Sequence, residues 1–151
     1  MKMIQKAKEL ATLAHADQTR KNSGDPYIVH PQRVAKMVEV EGGTDEMIAA
    51  AWLHDVKEDS PQYMAEVENA MPQSVLKLID ELTKPDGMNK FKWLRGFSKA
   101  SQEAVIIKLA DRFDNLLDPD PMGKEWLKGY LQQTAILLKI GKNKDLENHV
   151  I

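Results

Sequence analysis

The residues best suited to chemistry lie at the end of one apolar segment. His54 and Asp55 directly follow the sequence AAAWL, and Glu58 and Asp59 come four residues after them. Positions four apart share a face of an α-helix, so His54 is expected above Glu58. The same spacing places Asp55 above Asp59. Charged groups are rarely buried unless they are paired or bind metal, so this pattern favours a metal site over a solvated helix end.

Two further positions are candidates for the same site. Asp111 directly follows the apolar run AVIIKLA, and Asn115 lies four residues later on the same helix face. His30 lies at a junction between a loop and a helix, from which a ligand can project. Taken alone, Asp111 is better explained as a surface carboxylate paired with Arg112 or Lys108. His30 alone is better explained as a capping residue.

Together these positions predict a metal centre built from two imidazoles and two carboxylates: His30, His54, Asp55 and Asp111. A set of nitrogen and oxygen donors without thiolate suits Mn²⁺ or Fe²⁺, with Zn²⁺ or Mg²⁺ as alternatives. A metal in such a site acidifies a bound water and polarises a phosphoryl oxygen. The acidic pair that follows in the sequence could then orient that water or move its proton.

The charge of the chain limits the partners that we expect. Lys and Arg number 21 and Asp and Glu number 23, a formal net charge of −2. This balance argues against a nucleic-acid-binding protein, which usually carries a basic excess. Arg20 and Lys21 form a local basic pair before His30, placed to meet a small anion, and Arg can also stack on a base. Ordinary solvated loop charge is the alternative explanation for this pair.

The composition is typical of one globular domain of 151 residues. The absence of cysteine excludes disulfides, thiolate metal sites and cysteine nucleophiles, and is compatible with a cytoplasmic protein. The longest apolar run, 47–53, is much shorter than the ~20 residues of a membrane span. The first ten residues lack the apolar core of a signal peptide. We therefore expect a single cytoplasmic domain, 1–151, without a membrane partner.

Apolar residues recur with the helical period of 3.6 along most of the chain. This pattern predicts an all-α helical bundle of about seven or eight helices. The segment MIAAAWLHDV is apolar on most sides and is expected to be central. The tail from about residue 141 is expected to be frayed. The expected starts and ends of helices are marked by Pro31, Gly42-Gly43, Thr44, Ser60-Pro61, Ser98 or Ser101, Asp118–Pro121 and Gly141.

Four segments in order, AHADQTRK, GDPYIVHP, AAAWLHDVKEDS and IIKLADRFDN, resemble the HD-domain hydrolases of the RelA/SpoT family. The resemblance covers about residues 8 to 140. It implies an all-α, Mn²⁺-dependent enzyme that degrades the alarmone ppGpp or pppGpp. Such an enzyme releases pyrophosphate from the ribose 3′ position and leaves GDP or GTP. The length leaves no room for a synthetase domain, so we expect a stand-alone small alarmone hydrolase.

The resemblance implies a role for each matching residue. The metal ligands are His30, His54, Asp55 and Asp111, the acidic pair that acts on the water is Glu58 and Asp59, and the substrate-binding residues are Arg20, Lys21, Asn115 and Tyr130.

Three departures from the family pattern affect the substrate side. Lys57 and Asp118 alter the charge near the expected nucleotide, and Gln133 stands where Glu is usual. These changes concern base or phosphate specificity and leave the metal site intact. Hydrolysis of (p)ppApp, a nucleoside monophosphate or NADPH is therefore an alternative. A non-catalytic alarmone-binding module is a further one, although a binder has no need of the acidic pair. The sequence leaves the oligomeric state open.

Overall fold

The computed structural model describes residues 2–21, 23–117 and 124–144, which form nine α-helices and two short 3₁₀ turns. No strand forms within these residues, and the all-α fold is confirmed. The helices are α1 (Lys2–Ala14), α2 (Val29–Val40), α3 (Asp45–Leu53), α4 (Val56–Asp59), α5 (Met64–Ala70), α6 (Gln73–Leu82), α7 (Lys90–Arg95), α8 (Gln102–Leu117) and α9 (Lys124–Asn143), and the 3₁₀ turns are Pro61–Tyr63 and Gly96–Lys99.

Helix α3 is the centre of the bundle, as its apolar sequence predicts. Every residue from Met47 to Leu53 is buried, and the helix packs against α1, α2, α6 and α8. Three consecutive alanines let neighbouring helices approach closely. Thr44 caps its start, because its hydroxyl accepts a hydrogen bond from the backbone N–H of Met47 at 3.3 Å. The rigid centre of the fold therefore ends directly at His54.

The helical segment from α3 to α4 is interrupted, contrary to the continuous helix expected over these residues. Helix α3 ends at Leu53, and α4 begins at Val56. Asp55 lies between them with φ −101° and ψ −5°. Consecutive side chains on a regular helix point about 100° apart. The interruption lets His54 Nε2 and Asp55 Oδ2 come within 3.1 Å of each other.

Two expected boundaries differ from the structure. The Ser60 hydroxyl does not cap a helix, because it donates to the carbonyl oxygen of Ala14 at 2.8 Å. Gly141 does not end the last helix, since α9 continues to Asn143. A Cβ at Gly141 would lie 3.1 Å from Leu109 Cδ1, so this glycine allows α9 to pack closely on α8.

The helix α7 was not expected from the sequence. It has only six residues, too few for the helical period to stand out, and begins at the side-chain cap Asn89. Of the two serines expected before α8, Ser101 is the one next to the helix, and its hydroxyl accepts from the N–H of Ala104. The expected boundary at 118–121 and the tail 145–151 lie outside the described residues.

The loop between α1 and α2 carries two residues toward the site. An antiparallel bridge between Thr19 and Pro26 closes it, and the N–H of Arg20 donates to Asp25 at 2.8 Å. Gly24 has φ +76°, a conformation that glycine adopts without strain. The closed loop places Arg20 and Tyr27 beside α8 and α3. Among the described helices, none is long and apolar enough to cross a membrane.

Candidate active site

The structure brings the four predicted metal ligands together. One donor atom from each of His30, His54, Asp55 and Asp111 lies within 4.8 Å of the donors of the other three. His30 Nε2 is 2.7 Å from Asp111 Oδ1 and 3.6 Å from Asp55 Oδ2. His54 Nε2 is 3.1 Å from Asp55 Oδ2 and 3.3 Å from Asp111 Oδ1. Residues from α2, the α3–α4 junction and α8 thus converge on one point.

This donor set fits a divalent cation. Ligands about 2.1 Å from an octahedral metal are about 3 Å apart when adjacent and about 4.2 Å apart when opposite. The measured separations of 2.7 to 3.6 Å fall near the adjacent spacing. The set combines imidazole nitrogen with carboxylate oxygen and contains no sulfur. Four protein donors leave octahedral positions for water or substrate.

Both histidines turn the same nitrogen toward the cluster. The Nδ1–H of His54 donates to the carbonyl oxygen of Ala51 at 2.6 Å. His30 Nδ1 lies 2.7 Å from a carboxylate oxygen of Asp114. Both partners can only accept, so each places the proton on Nδ1 and leaves the Nε2 lone pair for a metal. Both rings are almost fully buried, which keeps this orientation.

Each carboxylate of the cluster also has a partner outside it. The Tyr27 hydroxyl donates to Asp55 Oδ2 at 2.6 Å. Burial and then the negative charge of Asp55 raise the pKa of Tyr27, so the phenol keeps its proton and remains a donor. The Lys108 ammonium lies 2.8 Å from Asp111 Oδ2. These contacts orient the oxygens that face the histidines.

The electrostatics of the cluster favour a cation at its centre. Burial lowers the pKa of His54, but the nearby carboxylates of Asp55 and Asp111 outweigh it and raise the pKa well above its usual value. Burial also lowers the pKa of His30, but its hydrogen bonds to Asp111 and Asp114 outweigh this effect and raise the pKa above its usual value. Burial raises the pKa of Asp111, but Lys108 and the histidines hold it well below the usual range. A divalent cation can replace the protons on these histidines.

The two acidic residues after the cluster are both exposed, but their contacts differ. Glu58 Oε1 accepts a hydrogen bond from the backbone N–H of Lys84 at 2.8 Å. Partial burial of the Asp59 carboxyl, followed by the charges of Asp55 and Glu58, raises its pKa to about 6. Asp59 lies one helical turn after Asp55, since its N–H donates to the Asp55 carbonyl at 2.9 Å. Asp59 is therefore the better placed to exchange a proton near neutral pH.

Three of the four expected substrate-binding residues form one hydrogen-bond network. Arg20 Nη2 donates to Asn115 Oδ1 at 2.9 Å, and Asn115 Nδ2 donates to the Tyr130 hydroxyl at 2.9 Å. Asn115 Nδ2 also lies 3.5 Å from Asp111 Oδ1, which connects the network to the metal cluster. Arg20 is only 6% exposed and points inward. Lys21 is exposed, so the two residues of the basic pair point into different environments.

Sequence reasoning missed the residues that orient the cluster. Tyr27 is three residues before His30, and Asp114 is three residues after Asp111 on the same helix, but neither spacing identifies its partner. From the sequence, Lys108 is expected only as a partner of a surface Asp111. The structure pairs these two residues in the interior. The charge change expected at Asp118 lies outside the described residues.

Comparison with known proteins identifies the family of this chain. The model of the HD domain family matches residues 7–134, and the chain belongs to that family. It is 31% identical to the guanosine-3′,5′-bis(diphosphate) 3′-pyrophosphohydrolase MESH1 of Xenopus tropicalis, covering 96% of this chain and 89% of the relative. It is 32% identical to human MESH1, covering 93% and 87%. The resemblance to stand-alone HD-domain (p)ppGpp hydrolases is confirmed.

Other relatives are much longer. A probable guanosine-3′,5′-bis(diphosphate) 3′-pyrophosphohydrolase of Synechocystis is 32% identical over 80% of this chain, but the match spans only 17% of that protein.

A solved structure described as a metazoan ortholog of SpoT that hydrolyzes ppGpp has a TM-score of 0.87 and 27% identity. It covers 99% of this chain and 92% of that chain.

Proposed function

We propose that this protein is a metal-dependent guanosine-3′,5′-bis(diphosphate) 3′-pyrophosphohydrolase. The observation that carries the proposal is the convergence of His30, His54, Asp55 and Asp111, with the acidic pair one turn further along the chain. The similarity to MESH1 over almost the whole length of both chains supports the same activity. The substrate is a small nucleotide, and neither nucleic acid nor a membrane forms part of the proposal.

The four clustered residues would hold Mn²⁺, with other divalent metals as alternatives. When bound, the metal acidifies a water and polarises the phosphoryl oxygen of the substrate. Tyr27 and Lys108 orient the carboxylate ligands by the hydrogen bonds described above. His54 is fixed by Ala51. The chain therefore supplies a preorganised set of donors in a buried setting.

Glu58 and Asp59 are the proposed acidic pair that acts on the water. In the hydrolysis, the oxygen of a water molecule bonds to the phosphorus atom that is attached to the ribose 3′ oxygen. The bond between this phosphorus and the ribose 3′ oxygen breaks. The attacking water loses a proton and the ribose oxygen gains one, which leaves GDP or GTP and pyrophosphate. Asp59, with its raised pKa, accepts the water proton. Glu58 holds the connection between α6 and α7 beside it through the N–H of Lys84.

The network of Arg20, Asn115 and Tyr130 lies beside the metal cluster and is the proposed nucleotide side of the site. Asn115 and Tyr130 present polar groups for the ribose or base, and the Arg20 guanidinium is suited to stack on a base or contact a phosphate. Lys21 adds an exposed cation in the same loop as Arg20. A substrate rich in phosphate would meet this local positive charge despite the formal net charge of −2.

The direct test is incubation of the purified protein with ppGpp and Mn²⁺, with products resolved by ion exchange. We expect GDP and pyrophosphate, and loss of turnover in EDTA. The variant His54→Ala should be inactive, whereas Asp80→Asn should be active, since Asp80 is exposed and its ion pair is with the exposed Lys57. Failure to form GDP and pyrophosphate, or turnover unaffected by EDTA, would contradict the proposal.

A panel of nucleotides tests the substrate class. The same assay with ppApp, a nucleoside monophosphate and NADPH should give a lower kcat/KM than ppGpp. A preference for one of these would retain the metal site and reassign the substrate. Tight binding of ppGpp without turnover in the presence of Mn²⁺ would favour a non-catalytic binding module.

A further inference from the structure

Asp114 is a buried carboxylate that lies next to the metal cluster but does not belong to its four donors. It is on α8, about one turn after Asp111, and is 0% exposed. Its Oδ2 lies 2.7 Å from Nδ1 of His30, whose Nε2 faces the cluster. Aspartate is rarely buried without a reason, because the charged form loses its hydration.

Two guanidinium groups supply countercharge to Asp114. Arg20 Nη1 lies 3.6 Å from Oδ2, and Arg33 Nη1 lies 3.9 Å from Oδ1. Both distances are longer than a good hydrogen bond. Among the described residues, Asp114 Oδ1 has no hydrogen-bond partner. The shortest contact of this carboxylate is therefore the one to His30, and the arginines compensate its charge from a greater distance.

The identity of the Nδ1 partner decides whether His30 can bind a metal. A neutral imidazole carries one proton, and a proton on Nε2 blocks ligation. A carboxylate only accepts, so Asp114 requires the proton on Nδ1 and keeps the Nε2 lone pair available. A carboxylate that accepts from Nδ1 also makes Nε2 a stronger electron-pair donor to a metal than a carbonyl partner does. His54 has a carbonyl partner at Ala51, so His30 is the histidine with the charged support.

We propose that Asp114 is a positioning residue that fixes the tautomer and orientation of His30 and so raises the affinity of the cluster for its metal. The inference rests on the metal site of the proposed function. It goes beyond that function because it assigns a role to a residue outside the ligands, the acidic pair and the nucleotide side.

The first experiment measures Mn²⁺ affinity by competition with a chelating dye. Asp114→Asn keeps the size of the side chain but can turn either an oxygen or an N–H toward His30. We expect its Kd for Mn²⁺ to rise about tenfold or more, within the ~10–100-fold range for partners of metal ligands. Asp80→Asn is the matched control, since it makes the same change at an exposed site. Its Kd should remain within twofold of the unmodified protein.

The second experiment reads the tautomer without metal or turnover. Nitrogen NMR of the metal-free protein, at a pH where His30 is neutral, should show the proton on Nδ1. In Asp114→Asn, a measurable fraction of neutral His30 should carry the proton on Nε2. The ring-nitrogen signals of His30 are assigned by their loss in His30→Asn. Asp114→Leu removes the acceptor entirely and should weaken Mn²⁺ binding further. Circular dichroism shows whether Asp114→Leu folds. If it does not fold, the Mn²⁺ Kd and the His30 tautomer of Asp114→Asn test the proposal.

Two results would overturn the proposal: an unchanged Mn²⁺ Kd in Asp114→Asn, or Nε2 protonation of neutral His30 in the unmodified protein. These results are distinguishable from a failure of the proposed function. If Asp114→Asn weakens the metal while the unmodified protein does not hydrolyse ppGpp, the positioning role stands and the substrate assignment fails. If ppGpp is hydrolysed and both affinity and tautomer are unchanged in Asp114→Asn, the positioning role fails alone.

Discussion

The proposed metal side and the proposed nucleotide side of the site are built differently. Every metal-side donor has an outer partner, such as Ala51 for His54 and Tyr27 for Asp55, and the histidines are almost fully buried. On the nucleotide side, Asn115 and Tyr130 are partly buried, and Lys21 is exposed. Fixed donors suit an ion that demands defined geometry, whereas a nucleotide needs access from solvent.

Arg20 connects these two regions. It reaches Asn115 on the nucleotide side and lies 3.6 Å from Asp114, which supports His30 on the metal side. A side chain so placed cannot be changed without consequences for both. The basic pair that looks uniform in the sequence therefore contains one interior residue and one surface residue. Substitutions in the two regions should have different effects, and the largest losses of metal affinity and turnover are expected on the metal side.

The largest effect is expected from loss of a ligand. His54→Ala or Asp55→Ala should abolish metal binding and turnover together, because the remaining donors no longer enclose the cation. The loss of Mn²⁺ affinity should exceed the ~10–100-fold that outer partners contribute. Dye competition measures the affinity, and circular dichroism checks folding. Turnover that persists at saturating Mn²⁺ in either variant would remove that residue from the ligand set.

Substitutions in the acidic pair should lower turnover and leave the affinity for the metal unchanged. Asp59→Asn should lower kcat by about 10²–10⁴, the usual range for a proton-transfer group, with an unchanged Kd for Mn²⁺. Glu58→Gln should also keep the metal and lose turnover, but by less than Asp59→Asn, because its carboxylate is bound to the N–H of Lys84. Glu66→Gln, an exposed change on α5, is the control. Loss of metal in either variant would make that residue a ligand.

Metal affinity should depend on pH in a defined direction. The pKa values of His30 and His54 are raised in the metal-free protein, so below them a metal must displace protons. Affinity for Mn²⁺ should therefore fall as pH is lowered, by up to about tenfold per pH unit for each proton displaced. The protonated histidines stabilise the metal-free fold at low pH, and this stabilisation is lost as pH rises through their folded pKa values.

Isothermal titration between pH 6 and pH 9 measures this dependence, and proton release can be followed in buffers of different ionisation enthalpy. A constant Kd across that range would show that the histidines are neutral before the metal binds.

The smallest effect is expected at the surface of the nucleotide side. Lys21→Ala should raise KM for ppGpp about two- to fivefold, the scale of an exposed ion pair of ~0.2–1 kcal/mol, and leave the Mn²⁺ Kd unchanged. The effect should shrink at high salt. Lys6→Ala, which removes an exposed lysine from α1, is the control. Arg20→Ala should change both KM and the Mn²⁺ Kd, and an effect on KM alone would contradict the connecting role of Arg20.

Much of the fold and the donor set could be predicted because the signals are local. Thr44 is a side-chain cap, and the apolar run before His54 marks a buried helix. The six residues of α7 are too few for such a signal. The interruption at Asp55 also escaped prediction, because the local pattern continues through it.

The amino-acid sequence by itself determined the chemistry available to the site. Without cysteine, a metal centre must use imidazole and carboxylate, and the segments around His30, His54 and Asp111 contain them. Only the tertiary structure decided which nitrogen of each histidine faces the centre and which residues hold it there. Asp114 is 84 residues from His30 and Tyr27 is 28 residues from Asp55. Local periodicity carries no information about contacts at such separations, since these depend on how the helices pack.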